Sequence, residues 1–160
     1  MRLVADGETR RQALTVAMDP RVASGAPELQ ALLAFQREVE ADLARSAEQH
    51  ETLRSVQEWL RAAREDPRAG AERGAIGRAL AEAERMAAPG VGQPERVNRA
   101  LASLATDLES VDAAPTGPQR ELLASAREAI SRFEARWKPF ASGALADLER
   151  RLTRRGLKPR

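Results

Sequence analysis

The sequence has no cysteine and no tyrosine, a single histidine, and only two tryptophans and three phenylalanines among 160 residues. Without cysteine, disulfide-stapled scaffolds and cysteine-ligated zinc sites are excluded. No run approaches the roughly 18 apolar residues of a membrane-spanning helix. The opening string MRLVADGETR also lacks the apolar segment of a signal peptide. The sequence therefore predicts neither a membrane span nor a secretory leader.

A strong excess of one charge is lacking as well. Lysine and arginine number 26 against 24 aspartates and glutamates, which leaves a formal net charge of +2. The high pI reflects arginine, which keeps its proton far above neutral pH, so we expect no nucleic-acid partner. Alanine and leucine dominate, whereas the β-branched and aromatic residues that favour strands are sparse. The composition predicts one small all-α domain.

Residues 2–18 differ from the rest of the chain. Asp6-Gly7 is a hairpin turn signal, and three apolar side chains then recur at every second position: Leu14, Val16 and Met18. We expect two short strands here. An isolated hairpin is marginal in water, so it must pack on the helices or belong to a sheet in an absent upstream region. The predicted organisation is a hairpin remnant with a junction at 1–22 and a helical bundle at 23–160.

Four helices are predicted, at 28–64, 75–88, 94–113 and 119–155. The first would be about 55 Å long, too long to be stable without partners of similar length. Because the apolar stripes of the two long helices must bury one another, we expect these helices to run antiparallel in an up-down-up-down four-helix bundle. The alternative is a broken second helix that runs collinear into the third.

The clearest core seam lies in the third helix, where apolar residues recur at spacings of four and three: Val97, Leu101, Leu104, Leu108 and Val111. Thr116 and Gln119 fit the capping box of the fourth helix. Pro139 should kink that helix, and Gly156 with Pro159 should end it.

Polar residues interrupt the inward stripe of the first helix. For His50 we favour a hydrogen-bonded imidazole at the edge of the core, since a catalytic or metal-binding role needs convergent partners. Gln36, Ser46 and Gln57 indicate either register-setting polar positions or a stripe that is only partly buried. The nearby acids mostly fall off the stripe and are expected on a solvated face: Glu38, Glu40, Asp42 and Glu48.

No catalytic constellation is recognised. The glycines form no phosphate-binding loop and the serines no nucleophile elbow, so we expect no catalytic, cofactor-binding or metal-binding residues and no cofactor. Six basic residues against two acids lie in 147–160. We expect these arginines to complement the dipole at a helix C-terminus rather than to contact phosphates.

Three short strings carry a family resemblance: RQALTVAMDPRV at 11–22, which contains Asp19, Pro20 and Arg21, then DAAPT at 112–116, and a closing Gly156, Leu157 and Pro159. In this order they resemble the C-terminal helical region of bacterial sortilin-like, Asp-box (BNR-repeat) β-propeller proteins, often labelled glycosyl hydrolases. The resemblance implies that 19–21 is a junction between a β-sandwich strand and a helical bundle, with Arg21 tying the two together. It also implies that any propeller active site lies outside this chain.

Two classes of function follow. The first is a non-catalytic accessory or interaction bundle that packs on a protein partner or a missing upstream domain. The alternative is a free-standing, coiled-coil-like adaptor that self-associates into a homo-oligomer. A bare hairpin edge would favour the first class, and an exposed apolar stripe would favour the second. Neither class needs a membrane or a nucleic acid.

Overall fold

The structure, a computed structural model, describes residues 2–5, 7–13, 15–17, 19–88 and 93–158. Within these ranges the chain is an all-α bundle with two long helical passes, preceded by a short antiparallel hairpin. The predicted fold class is thus confirmed, and the differences concern how the helices follow one another.

The hairpin consists of β1 (Arg2–Ala5) and β2 (Glu8–Arg11), with Ala5 opposite Glu8. Gly7 has a φ of +80°, the left-handed conformation that a tight hairpin turn requires. The second strand is not where the alternating apolar residues placed it, because the returning strand begins at Glu8, directly after Gly7. Residues 15–17 lie outside any strand, and Leu14 and Met18 fall outside the described residues.

Helix α1 spans Ala26–Glu65, close to the predicted range. Pro27 lies in its first turn, where a backbone N–H has no partner within the helix, and Asp66 caps its C-terminal end. With 40 residues the helix is about 60 Å long. A helix of this length needs tertiary packing along its whole course, and three further helices provide it.

After α1, a 3₁₀ turn (Pro67–Glu72) reverses the chain, and helices α2 (Arg73–Ala87) and α3 (Pro94–Glu109) follow. Hydrogen bonds between α1 and this return segment move steadily back along α1: Arg64 with Arg73, Gln57 with Ala83, Leu43 with Asn98 and Gln36 with Leu108. Helices α2 and α3 therefore make one return pass, α2 beside the C-terminal half of α1 and α3 beside its N-terminal half. This is the alternative in which a broken second helix continues into the third.

Helix α4 (Gly117–Phe140) begins with the expected capping box. Thr116 N donates to Gln119 Oε1 over 2.8 Å, and Gln119 N donates to Thr116 Oγ1 over 3.4 Å. A turn of π-helix (Ala141–Leu145) follows Pro139, and α5 (Ala146–Thr153) completes the pass. Proline has no N–H to donate to the preceding turn, and the π-turn begins two residues after it. The kink expected at Pro139 stays a prediction.

The end of α5 is a Schellman motif. Leu157 N donates to Leu152 O over 3.0 Å, and Gly156 N donates to Thr153 O over 2.9 Å. Gly156 has the φ of +76° that this motif needs, and both leucines are buried. Gly156 therefore ends the helix as predicted, while Pro159 lies outside the described residues.

The two long passes, α1 and the α4–α5 pair, run parallel. The partners across them rise in number together: Glu38 with Arg127, Arg45 with Glu134, and Arg68 with Arg155. The expected antiparallel arrangement of the two long helices does not hold, because α2 and α3 share one return pass and the described chain crosses the bundle three times. Each pass is antiparallel to the pass before it.

Two apolar clusters fill the bundle. One, the α3 cluster, joins α1, α3 and the first half of α4, and the other, the α2 cluster, joins α1, α2, α4 and α5. In the predicted α3 seam, Leu101, Leu104 and Leu108 are buried and Val97 is half-buried. The assignment of Val111 to the core is wrong: it is 40% exposed, because α3 ends two residues before it.

Candidate functional site

Between the two apolar clusters, α1 turns three polar side chains inward: Asp42, Ser46 and Gln49. The prediction that Asp42 lies on a solvated face is wrong, since its side chain is only 5% exposed. The other acids named with it, Glu38, Glu40 and Glu48, are exposed as expected. Side chains of α3 and α4 complete this region, which we call the central polar layer: Asp42, Arg45, Ser46, Gln49, Asn98, Arg127 and Glu134.

Two arginines hold the buried Asp42 carboxylate. Arg127 Nε on α4 lies 2.6 Å from one oxygen, and Arg45 NH1 on α1 lies 3.1 Å from the other. Arg127 also reaches Glu38 over 2.9 Å, and Arg45 reaches Glu134 over 2.8 Å. The hydrogen bond to Asp42 raises the pKa of Arg127, and the hydrogen bond to Glu134 raises the pKa of Arg45. The resulting ion network joins the two parallel passes.

A second set of bonds extends the central polar layer to the return pass. Ser46 Oγ donates to Leu43 O over 2.9 Å within α1. Asn98 Nδ2 on α3 donates to Ser46 Oγ over 3.1 Å and to Leu43 O over 3.3 Å. All three passes of the bundle therefore meet in hydrogen bonds at one level.

Three glutamines of α1 donate to backbone carbonyls of three different helices: Gln36 to Leu108 over 3.0 Å, Gln49 to Ile130 over 3.4 Å and Gln57 to Ala83 over 3.1 Å. Leu108 lies in the last turn of α3, where carbonyls lack a partner in their own helix, so Gln36 satisfies this helix end. Gln36 and Gln57 are also half-buried. The partly buried stripe predicted here is thus found at Gln36 and Gln57, whereas Ser46 is fully buried. The register-setting role of these positions stays a prediction.

His50 is half-buried at the edge of the core, beside an open cleft of about 520 Å³ that Gln57 and Arg99 also line. Across the described ranges, no three histidine, aspartate or glutamate side chains are grouped so that they could hold a metal ion. In the same ranges no helix is both long and apolar enough to cross a membrane.

The string Asp-Pro-Arg occurs at 19–21 and again at 66–68, and it forms the same turn both times. Asp19 accepts from the backbone N and the guanidinium of Arg21, with a closest contact of 2.6 Å, and Asp66 accepts from the same groups of Arg68, closest at 2.7 Å. The pairing with Arg68 lowers the pKa of Asp66 to about 2. Arg21 is therefore engaged within its own turn rather than with the bundle.

Arginines near the C-terminus join the last pass to the connection between α1 and α2. Arg151 Nε lies 2.9 Å from Glu72 Oε2, and Arg155 NH1 donates to Arg68 O over 3.4 Å. Arg68 in turn donates to Gly156 O over 3.5 Å. Part of this basic segment is thus used in contacts inside the bundle, which the sequence pattern alone did not suggest.

Trp59 lines a second open cleft of about 520 Å³ at this end of the bundle, together with Ala63, Arg68, Leu157 and Lys158. Trp59 is 9% exposed, and its Nε1 is buried without a hydrogen-bond partner. In the part of the chain that the structure describes, no other buried side-chain nitrogen or oxygen lacks a partner. Sequence reasoning missed this cleft, because it forms from segments about 90 residues apart.

The hairpin lies outside both apolar clusters. Leu3 and Val4 are 55% and 58% exposed, and neither belongs to the α2 or the α3 cluster. Arg2 lies directly opposite Arg11. Like charges in this position destabilise an antiparallel pair, so the hairpin gains little stability from its own side chains.

Comparisons with protein-family models, with curated proteins and with solved structures find no match for this chain. The resemblance to propeller proteins therefore stays a prediction. Part of the resemblance depends on the string Asp19-Pro20-Arg21. The same string at 66–68 forms the same local turn, so the string by itself does not mark a junction between domains.

Proposed function

We propose that this chain is a non-catalytic helical module that presents its N-terminal hairpin to the β-sheet of a neighbouring domain or protein. The observation that carries the proposal is the exposure of every side chain described in β1 and β2. In an antiparallel ribbon, alternate residues of each strand turn their N–H and C=O groups away from the partner strand. The outer edges of the hairpin therefore offer backbone donors and acceptors to a further strand.

The energetics of the hairpin support an external partner. A two-stranded ribbon is marginal alone, and the opposed Arg2 and Arg11 weaken it further. Leu3 and Val4 lie on opposite faces and both are exposed. Burial of each against a neighbouring sheet would contribute about 1.5–3 kcal/mol. The resemblance to propeller proteins would make that neighbour an upstream domain.

Self-association through the helices is the alternative, and the surface supports it less. Among the described helical residues the large exposed apolar side chains are Leu33 on α1 and Leu122 on α4, at 48% and 37% exposure. A coiled-coil adaptor needs such residues at every third or fourth position along one face. Helices α1 and α4 carry one each and the other described helices carry none, so the hairpin is the better candidate interface.

Light scattering coupled to size exclusion tests the proposal on the full chain and on a variant that lacks residues 1–18. We expect both to be monomeric, with nearly the same helical melting curve. The matched control is a Leu33→Glu, Leu122→Glu double variant, which should also leave the mass unchanged. A dimer that survives loss of the hairpin and dissociates in the double variant would support the adaptor instead.

The non-catalytic part of the proposal has its own test. The purified chain is assayed against generic glycosidase, esterase, phosphatase and protease substrates, with and without divalent metals. We expect no turnover. Activity that copurifies with the chain and disappears in His50→Ala would contradict the proposal.

A further inference from the structure

The cleft beside Trp59 has an apolar wall, and the indole that forms part of this wall carries a buried, unpaired donor. Trp59, Ala63 and Leu157 supply the apolar part of its lining. The Nε1–H group of Trp59 is buried and makes no hydrogen bond. A buried donor without a partner is unfavourable, and an acceptor placed beside it removes the penalty. The cleft is therefore suited to a ligand that has both an apolar body and a hydrogen-bond acceptor.

The charged groups around the cleft indicate the charge of that ligand. Both carboxylates that line it are already engaged: Glu58 accepts from Arg54 over 2.8 Å, and Asp66 accepts from Arg68 over 2.7 Å. Lys158 also lines the cleft, and its side chain has no ion-pair partner among the described residues. The donors that remain available are thus the Nε1–H group of Trp59 and the cationic side chain of Lys158. Together they favour a ligand with an anionic acceptor.

We propose that this cleft binds a short aliphatic carboxylate, with the alkyl chain against Ala63 and Leu157 and the carboxylate accepting from Trp59 Nε1 and pairing with Lys158. The cleft volume of about 520 Å³ lies in the usual range for small-molecule sites. Because Nε1 is shielded from solvent in the unliganded chain, entry requires a small displacement of the side chains that cover it. A peptide that ends in a leucine carboxylate presents the same chemistry.

Nuclear magnetic resonance of the ¹⁵N-labelled full chain reports on this donor directly, because the sequence contains only two indole N–H groups. A Trp137→Phe variant assigns the two signals. Hexanoate should shift the Trp59 indole proton downfield in a saturable way, with a Kd of about 1 mM or tighter, and leave the Trp137 signal unchanged. N-acetyl-leucine in the same titration tests a peptide terminus as the source of the carboxylate.

The controls separate charge from apolar contact. Hexan-1-ol and N-acetyl-leucinamide keep the apolar group without the charge and should bind about tenfold more weakly or worse. Lys158→Gln should weaken hexanoate binding to a similar extent without changing the melting curve, whereas substitution of the other lysine, Lys138→Gln, should have no effect. No shift with either carboxylate, an equal shift with hexan-1-ol, or unchanged affinity in Lys158→Gln would overturn the proposal.

Discussion

The guanidinium of Arg127 and the carboxylate of Asp42 lie 2.6 Å apart, although 85 residues separate them in the sequence. The carboxylate is buried, and the side chain of Arg127 is 45% exposed. Seven residues further along α4, Glu134 pairs with Arg45. Both pairs form together at one axial alignment of the parallel passes, so the central polar layer selects that alignment.

Removal of Arg127 should destabilise the bundle. Arg127→Met leaves the buried Asp42 carboxylate with Arg45 as its remaining partner, and we expect the free energy of unfolding to fall by about 1–3 kcal/mol. This is less than the loss of a fully buried pair, because solvent screens the half-exposed guanidinium. Urea denaturation measures the change.

The control for this variant is Arg132→Met on the same helix, because Arg132 pairs, among the described residues, with Glu128 of its own helix alone. It should change the free energy of unfolding by less than about 0.5 kcal/mol. Asp42→Asn should cost less in the Arg127→Met background than in the native chain, since the two residues are coupled. Strict additivity would mean that the central polar layer does not join the passes.

The α3 seam provides a second test. Leu104→Ala and Leu108→Ala should each destabilise by about 2–5 kcal/mol, because both side chains are buried in the α3 cluster and their truncation leaves a cavity. Val111→Ala and the exposed control Arg99→Ala should change stability by less than about 0.5 kcal/mol. Thermal melts settle the point: equal shifts for all four variants would mean that this seam is not core.

Local signals in the sequence predicted local structure. The Thr116 and Gln119 capping box, the α3 seam and the glycine at 156 each depend on residues within one or two turns of helix, where propensity and periodicity act directly. The second strand is not predicted correctly, because the alternation at 14–18 favours a later strand, whereas the observed strand begins at Glu8, directly after Gly7. Helix 94–113 was extended too far across Ser110, its observed C-cap.

The nonlocal features could not be predicted in this way. Asp42 falls off the apolar stripe of α1, and its burial depends on Arg127 in a distant helix. The direction of α4 depends on whether α2 and α3 make one pass or two, and the apolar periodicity within each helix does not indicate which. The Trp59 cleft likewise forms only after the C-terminal segment reaches the end of α1.

Two glycines should respond to alanine in opposite directions. Gly156 has a φ of +76° in the Schellman motif, so Gly156→Ala should destabilise by about 1–2 kcal/mol. Gly77 lies inside α2, and a Cβ built there meets no atom within 4 Å, so Gly77→Ala should stabilise by about 0.5–1 kcal/mol. Chemical denaturation measures both. Changes of the same sign in the free energy of unfolding would contradict the conformations described for Gly156 and Gly77.

Acid should weaken the turn at the end of α1. The hydrogen bond from Arg68 lowers the pKa of Asp66 to about 2, below its ordinary value of about 4. A lowered pKa contributes stability that is present above the ordinary value and is lost as the pH falls towards 2. Asp66→Asn should therefore be less stable than the native chain at neutral pH. Its free energy of unfolding should also fall less steeply between about pH 4 and pH 2, the ordinary and the lowered pKa of Asp66.

Denaturant melts across this pH range measure the effect. Asp19→Asn is the matched control, because it removes the same turn contact outside the bundle and should leave the acid limb of the helical melt unchanged. If the free energy of unfolding falls in the same way with acid in the native chain and in Asp66→Asn, the Asp66 and Arg68 pair does not stabilise the fold.

Native-state hydrogen exchange of the full chain tests whether the hairpin is displayed or is part of the core. We expect the amides of β1 and β2 to exchange about a thousandfold faster or more than those of Leu101 to Leu108, since a marginal ribbon opens locally while the core opens only with global unfolding. Hairpin amides protected to within about tenfold of the α3 core would place the hairpin in the cooperative bundle and contradict the proposed docking function.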